Sequence, residues 1–159
     1  MAAFTEAILD QMESILSLGL STKLDALDTE YDDGIVLEDP ILYFKGRKFQ
    51  VSQTPAVILW PDSAPGDEYA SEDSLKLEYR IISYIVISSE TDAEKMWIRI
   101  FRYLRGMTEV IRATHNLEGA VDICKFGGFI FESPWLAVRE NTYIAIAGVV
   151  WNISDEEIL

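Results

Sequence analysis

Between residues 25 and 39 stand Asp25, Asp28, Glu30, Asp32, Asp33, Glu38 and Asp39, seven acids without a base. Closely spaced carboxylates of this kind are what a hard divalent cation takes as ligands. Read as a calcium loop starting at Asp28, the segment places Glu30, Asp32 and Asp39 at loop positions 3, 5 and 12. Asp33, however, occupies the position that needs glycine, and Pro40 blocks the helix that should follow. Asp28, Glu30, Asp32, Asp33 and Asp39 are therefore a weak metal candidate. The alternative is a solvated acidic arm that repels other chains or meets a basic partner.

A second pair of reactive side chains is Cys124 and His115, each the only one of its type. A lone cysteine forms no intrachain disulfide and cannot by itself hold a metal. With no oxyanion signature nearby, a Cys–His nucleophile is less favoured than a buried small side chain and a histidine at a helix end, where imidazolium suits the dipole. No catalytic signature stands out elsewhere, so the expectation is a non-enzymatic chain without a cofactor.

The cations are concentrated in two places. Lys95, Arg99, Arg102, Arg105 and Arg112 place five of the chain's thirteen within eighteen positions, and Lys45, Arg47 and Lys48 form a basic tip. In a chain of formal charge −14 these are the candidates for a subunit or partner interface. Ion pairing with the chain's own acids, or a solvated face, is the competing and favoured reading. The acidic balance argues against a nucleic-acid-binding surface overall, because phosphate neutralisation needs a net basic face.

The elements that position these groups centre on residues 75–116. Leu75, Leu77, Tyr79, Ile81, Ser83, Ile85 and Ile87 alternate with Lys76, Glu78, Arg80, Ile82, Tyr84 and Val86. One face is apolar almost throughout and the other becomes apolar past Arg80, as in a strand entering a sheet covered on both sides. Thr91 and Glu94 have the spacing of a capping box, so a helix is expected from about Asp92 to Asn116. Ala93, Trp97, Ile100, Leu104, Met107 and Ile111 form its buried stripe, widened by Met96, Phe101, Tyr103 and Val110.

Before this stretch, residues 4–18 predict an amphipathic helix that ends at Gly19. Residues 41–51 predict a hairpin or extended arm with the basic tip, so that about 25–52 forms an acidic arm and hairpin. Residues 54–60 predict a strand with Pro55 at its first position, ending at Pro61. About 62–74 predicts a mobile loop. After the helix, 119–131 predicts a strand bent at Gly127–Gly128, Ser133–Pro134 a turn, 143–153 a central strand, and 154–159 a frayed acidic tail.

A chain of 159 residues, 49% of them hydrophobic, suits a single domain, 1–159, with a self-sufficient core. The fold expected is α+β: a mostly antiparallel sheet of about four main strands, an N-terminal helix and one long helix packed on it, plus the arm or hairpin. No apolar run reaches the roughly 18 residues of a membrane span, and no secretory signal opens the chain. The expectation is a protein made in the cytoplasm, with no membrane partner.

The whole order of elements resembles the tail terminator (tail completion) proteins of long-tailed bacteriophages. The resemblance rests on Thr54-Pro55-Ala56-Val57-Ile58-Leu59-Trp60, on the strand from Leu77 to Ser88 leading into Thr91-Asp92-Ala93-Glu94, and on the paired strands at 119–131 and 141–153. It implies a structural virion protein at the head-proximal end of the tail, assembled in the host cytoplasm. It further implies a homo-oligomeric ring, typically a hexamer, that caps the tail tube, stops its polymerisation and offers a surface to the head connector or neck protein. DNA would pass through the lumen without specific binding. The acidic segment 25–39 and the basic tip depart from that pattern. Another head–tail connector protein, or a divalent-ion or small-ligand-binding α+β domain, are the alternatives.

Overall fold

β4 (Ser74–Ser89) is the strand around which the sheet is laid down. Its apolar face, Leu77, Tyr79, Ile81, Ile85 and Ile87, is buried, and on its other face Glu78 and Arg80 are exposed while Ile82, Tyr84 and Val86 are buried. The two-faced expectation holds. The computed structural model describes residues 2–46, 51–63, 68–71, 74–89 and 92–158. Its remaining elements are α1 (Ala2–Tyr31), β1 (Leu42–Lys45), β2 (Ala56–Ser63), β3 (Glu68–Ser71), α2 (Ala93–Arg112), a 3-10 turn at Leu117–Gly119, β5 (Ile123–Arg139) and β6 (Thr142–Ile158).

The fold is the α+β class expected, a mostly antiparallel sheet: among the described residues four main strands, β2, β4, β5 and β6, are joined by the short β1 and β3. They run in the order β1-β2-β4-β6-β5, and β3 also pairs with β4. Every pairing is antiparallel except β1 with β2, where Leu42–Lys45 lies parallel to residues 56–59. The hairpin expected at 41–51 is therefore corrected: the first arm is a parallel edge strand. Arg47 and Lys48 of its tip lie outside the described residues. The loop expected at 62–74 is partly strand, since β2 continues to Ser63 and Glu68 pairs with Lys76.

Both helices pack on the sheet. α1 lies against β1, β2 and α2, and α2 against β4, β6 and β5. Their shared core includes Leu16, Leu20, Leu24, Leu27, Tyr103, Leu104, Met107 and Trp151. Trp151 buries its indole N–H by donating to the Ser83 hydroxyl at 3.0 Å, which answers the cost of a lone buried donor. A smaller cluster of Ile58, Ile82, Tyr84, Val86 and Val150 lies on the sheet's other face.

Gly19 does not end the first helix. The stripe set by Ile8, Met12 and Leu16 continues through Leu20, Leu24 and Leu27, and burying those leucines outweighs the roughly 1 kcal/mol cost of a helical glycine. A methyl group on Gly19 would come 3.1 Å from Val110, and one on Gly106 would come 3.2 Å from Leu24. The two glycines let the helices approach closely. The first part of the supposed acidic arm, residues 25–31, is accordingly the last two turns of α1.

α2 starts at Ala93, where the Asp92 carboxylate accepts from the Lys95 backbone N–H at 2.8 Å. Thr91, the residue expected to cap it, lies outside the described residues. The helix stops at Arg112, short of Asn116. Positive φ at Leu117 and Glu118 then reverses the chain and carries Leu117 into the core. Trp97, expected in the buried stripe, is half exposed.

β5 and β6 form a long hairpin closed by Glu140–Asn141, both with positive φ, the conformation of a two-residue type I′ turn. The bend expected at Gly127–Gly128 is present as a register shift between Phe126 and Phe129, with Gly128 at φ +107°. Ser133–Pro134 is not a turn: β5 runs through it with a second register shift between Phe131 and Leu136. Nor is 154–158 a tail, since β6 continues until Ile158 pairs with Ser74. The long first half of β4 supplies a partner for those acidic residues.

Candidate subunit interface

The cations of α2 do not form one free face. Arg102 is 7% exposed. Its guanidinium donates to both carboxylate oxygens of Asp33 and lies 3.9 Å from the centre of the Tyr31 ring. That hydrogen bond, above all, holds the Asp33 carboxyl down to about 2. Arg105 donates to Glu30 at 3.0 and 3.1 Å, to Glu109 and to Tyr31, and its pKa is raised by these bonds. Glu109 also meets Lys23 at 2.6 Å, and its pKa is lowered, mainly by that lysine. Arg102 and Arg105 thus pair with the chain's own acids, and the burial of Arg102 removes it from any surface patch.

Arg99 is half-buried, whereas Lys95 and Arg112 are exposed. Lys45 is bound by Asp10 and lies 3.5 Å from Glu13, so this member of the basic tip fastens β1 to α1. Its pKa is raised, mainly by the hydrogen bond to Asp10.

The acids of the metal candidate radiate away from one another. Asp28 accepts from the Leu37 backbone N–H at 3.1 and 3.2 Å, Asp33 turns to Arg102, Glu30 to Arg105, and Asp39 accepts from the Ser21 hydroxyl at 2.9 Å. Asp32 is exposed. Among the described residues, no group of three or more His, Cys, Asp or Glu converges as a metal site would require. The segment is a strap: its carboxylates tie residues 28–39 to both helices. Cys124 is buried, its thiol pushed up to about 12 by that burial, while His115 is exposed. The Cys124 backbone N–H donates to the His115 carbonyl, which joins the two residues through their backbones and leaves a buried thiol and an exposed imidazole.

A different surface stands out. Among the described residues, the exposed large hydrophobic side chains fall into two groups. Trp97, Ile123, Phe126, Phe129, Phe131 and Val138 lie along β5 and the start of α2, while Leu18, Tyr31, Val36 and Ile41 lie on α1 and the segment leading into β1. In β5, Phe126, Phe129 and Phe131 pair with Trp151, Val149 and Ala147. Those three partners alternate along β6, so the phenylalanines share the helix-side face. Trp97 meets Phe101 at 4.4 Å between ring centres, Phe101 meets Phe131 at 5.7 Å, and Phe131 meets Trp135 at 5.6 Å. Phe126 joins Phe129 at 5.2 Å. The result is an aromatic ridge where α2 overhangs the outer strand.

That ridge was hidden in the sequence by the bulge. Plain alternation puts Phe126 and Phe129 on opposite faces, and only the extra residue at Gly127–Gly128 brings them together. The signal that could have exposed it is the density of Phe126-Gly127-Gly128-Phe129-Ile130-Phe131 beside two glycines.

Two helices on a sheet with an aromatic outer strand make an α+β layer whose β5 edge is the candidate interaction surface. No family model matches the chain, and no curated protein is found to be similar to it.

Proposed function

We propose that this chain is a structural assembly subunit of the tail terminator type: it forms a homo-oligomeric ring that caps the phage tail tube, ends its polymerisation and presents a surface to the head connector. The observation that carries the reading is the division of exposed large hydrophobics into two separate groups, one at the β5 edge and one on α1 and the approach to β1. A heterologous contact needs two different patches, and repeating it by rotation closes a ring. The order of elements that resembles the terminator family supports the same reading. The surplus of acids, 27 against 13 cations, suits a lumen that repels DNA and lets it slide.

The test is to add the protein to polymerising tail-tube subunits and measure tube lengths by negative-stain electron microscopy. The expected outcome is shorter tubes with extra density at one end. An unchanged length distribution and bare ends would count against the proposal.

A further inference from the structure

The sheet ends in two different outer strands, β5 on one side and β1 on the other, and charge divides along the same line. Residues 2–39, which build α1 and the approach to β1, hold ten acids and one lysine. Residues 93–139, which build α2 and β5, hold seven cations and five acids. Lys95, Arg112, Lys125 and Arg139 are exposed there, and among the described residues none of them has an ion-pair partner. On the other side Asp32 and Glu38 are exposed beside Val36 at 60% and Ile41 at 55% exposure.

We propose that the β5 edge of one copy docks on the α1–β1 side of the next, with Phe126, Phe129 and Phe131, on the helix side of the sheet, against Val36 and Ile41, so that the more cationic α2–β5 half meets the acidic α1–β1 half. The proposal rests on the ring reading and names its contact. Strand direction agrees with it. β5 runs with β4, and β1 runs against it, because β6 reverses β5, β4 reverses β6, β2 reverses β4, and β1 is parallel to β2. A copy rotated about an axis along the strands therefore offers β1 antiparallel to β5, the common hydrogen-bonding arrangement. Pairing like with like is the poorer solution. Two acidic sides repel, and two β5 edges placed together leave Val36 and Ile41 uncovered.

Two variants separate these outcomes. F129E/V138E breaks only the β5 side, and E38K/I41K breaks only the acidic side; each changes exposed residues alone. Light scattering on each variant should give a monomer, and the equimolar mixture should give a heterodimer and nothing larger, since one intact pair of patches remains. A dimer from E38K/I41K by itself would overturn the proposal in favour of β5 self-pairing. A wild-type-sized ring from either variant would overturn it while leaving the ring reading intact. Wild-type protein that stays monomeric, alone and with tail-tube ends, would remove the ring reading and this contact with it. Circular dichroism melts confirm folding, and the single variants F129E and I41K replace any double variant that fails to fold.

Discussion

Arg102 enters α2 as one of five cations on an apparently outer helix face, yet it is buried by Tyr31 and by the Asp33 carboxylate. A guanidinium held by a bidentate carboxylate is worth roughly 1.5–3 kcal/mol, so Arg102→Ala is expected to lower the unfolding free energy measured in urea by about that amount. Arg102→Lys should recover only part, because an ammonium keeps the charge but not the fork. The same pair sets an acid limb to stability. Asp33 has its carboxyl depressed from 3.8 to about 2 in the folded protein, so its contribution is complete above pH ~4 and is lost as pH falls from about 4 to about 2. Thermal melts from pH 5 to pH 2 should therefore fall more steeply for wild type than for Asp33→Asn. Equal slopes would show that the pair does not titrate with folding.

At the scale of elements, Gly148 shows how tightly the middle of the sheet is filled. A methyl group there would lie 2.7 Å from Ile82 Cγ2 and 2.9 Å from Tyr84 Cδ1, and Tyr84 is held by its hydrogen bond to Glu132 at 2.7 Å. Gly148→Ala is expected to cost about 1–3 kcal/mol, read from denaturant unfolding. The opposite sign is expected at the β5–β6 turn. Glu140 has φ +51° and Asn141 φ +64°, so Glu140→Asn with Asn141→Gly should stabilise by roughly 1 kcal/mol by removing strain at the type I′ positions. The elements legible in sequence were those with a clean period: β4, with its two apolar faces, and most of α2. Where tertiary partners override a local signal, the reading failed. Gly19 marks a helix crossing because Leu20, Leu24 and Leu27 have a core to enter, and Ser133–Pro134 lies in a bulge within β5, because the pairing to β6 resumes at Leu136. Residues 154–158 are acidic and yet paired, which the start of β4 decides and local composition does not.

For the whole molecule, the same limit applies to the site. Charge clustering on α2 was visible in the sequence, but only the fold shows that Asp33 and Glu30 take up Arg102 and Arg105 while Lys95 and Arg112 stay exposed. An aromatic outer strand of this length is a liability in a free monomer, since exposed edges recruit other strands, and the ring proposed above would cover it. The most direct test is the mass of the purified wild-type protein by light scattering, alone and then mixed with a tail-tube protein. The account predicts a ring-sized species, or a smaller one that binds tube ends and shortens the polymers. A persistent monomer that leaves tube length unchanged would contradict it.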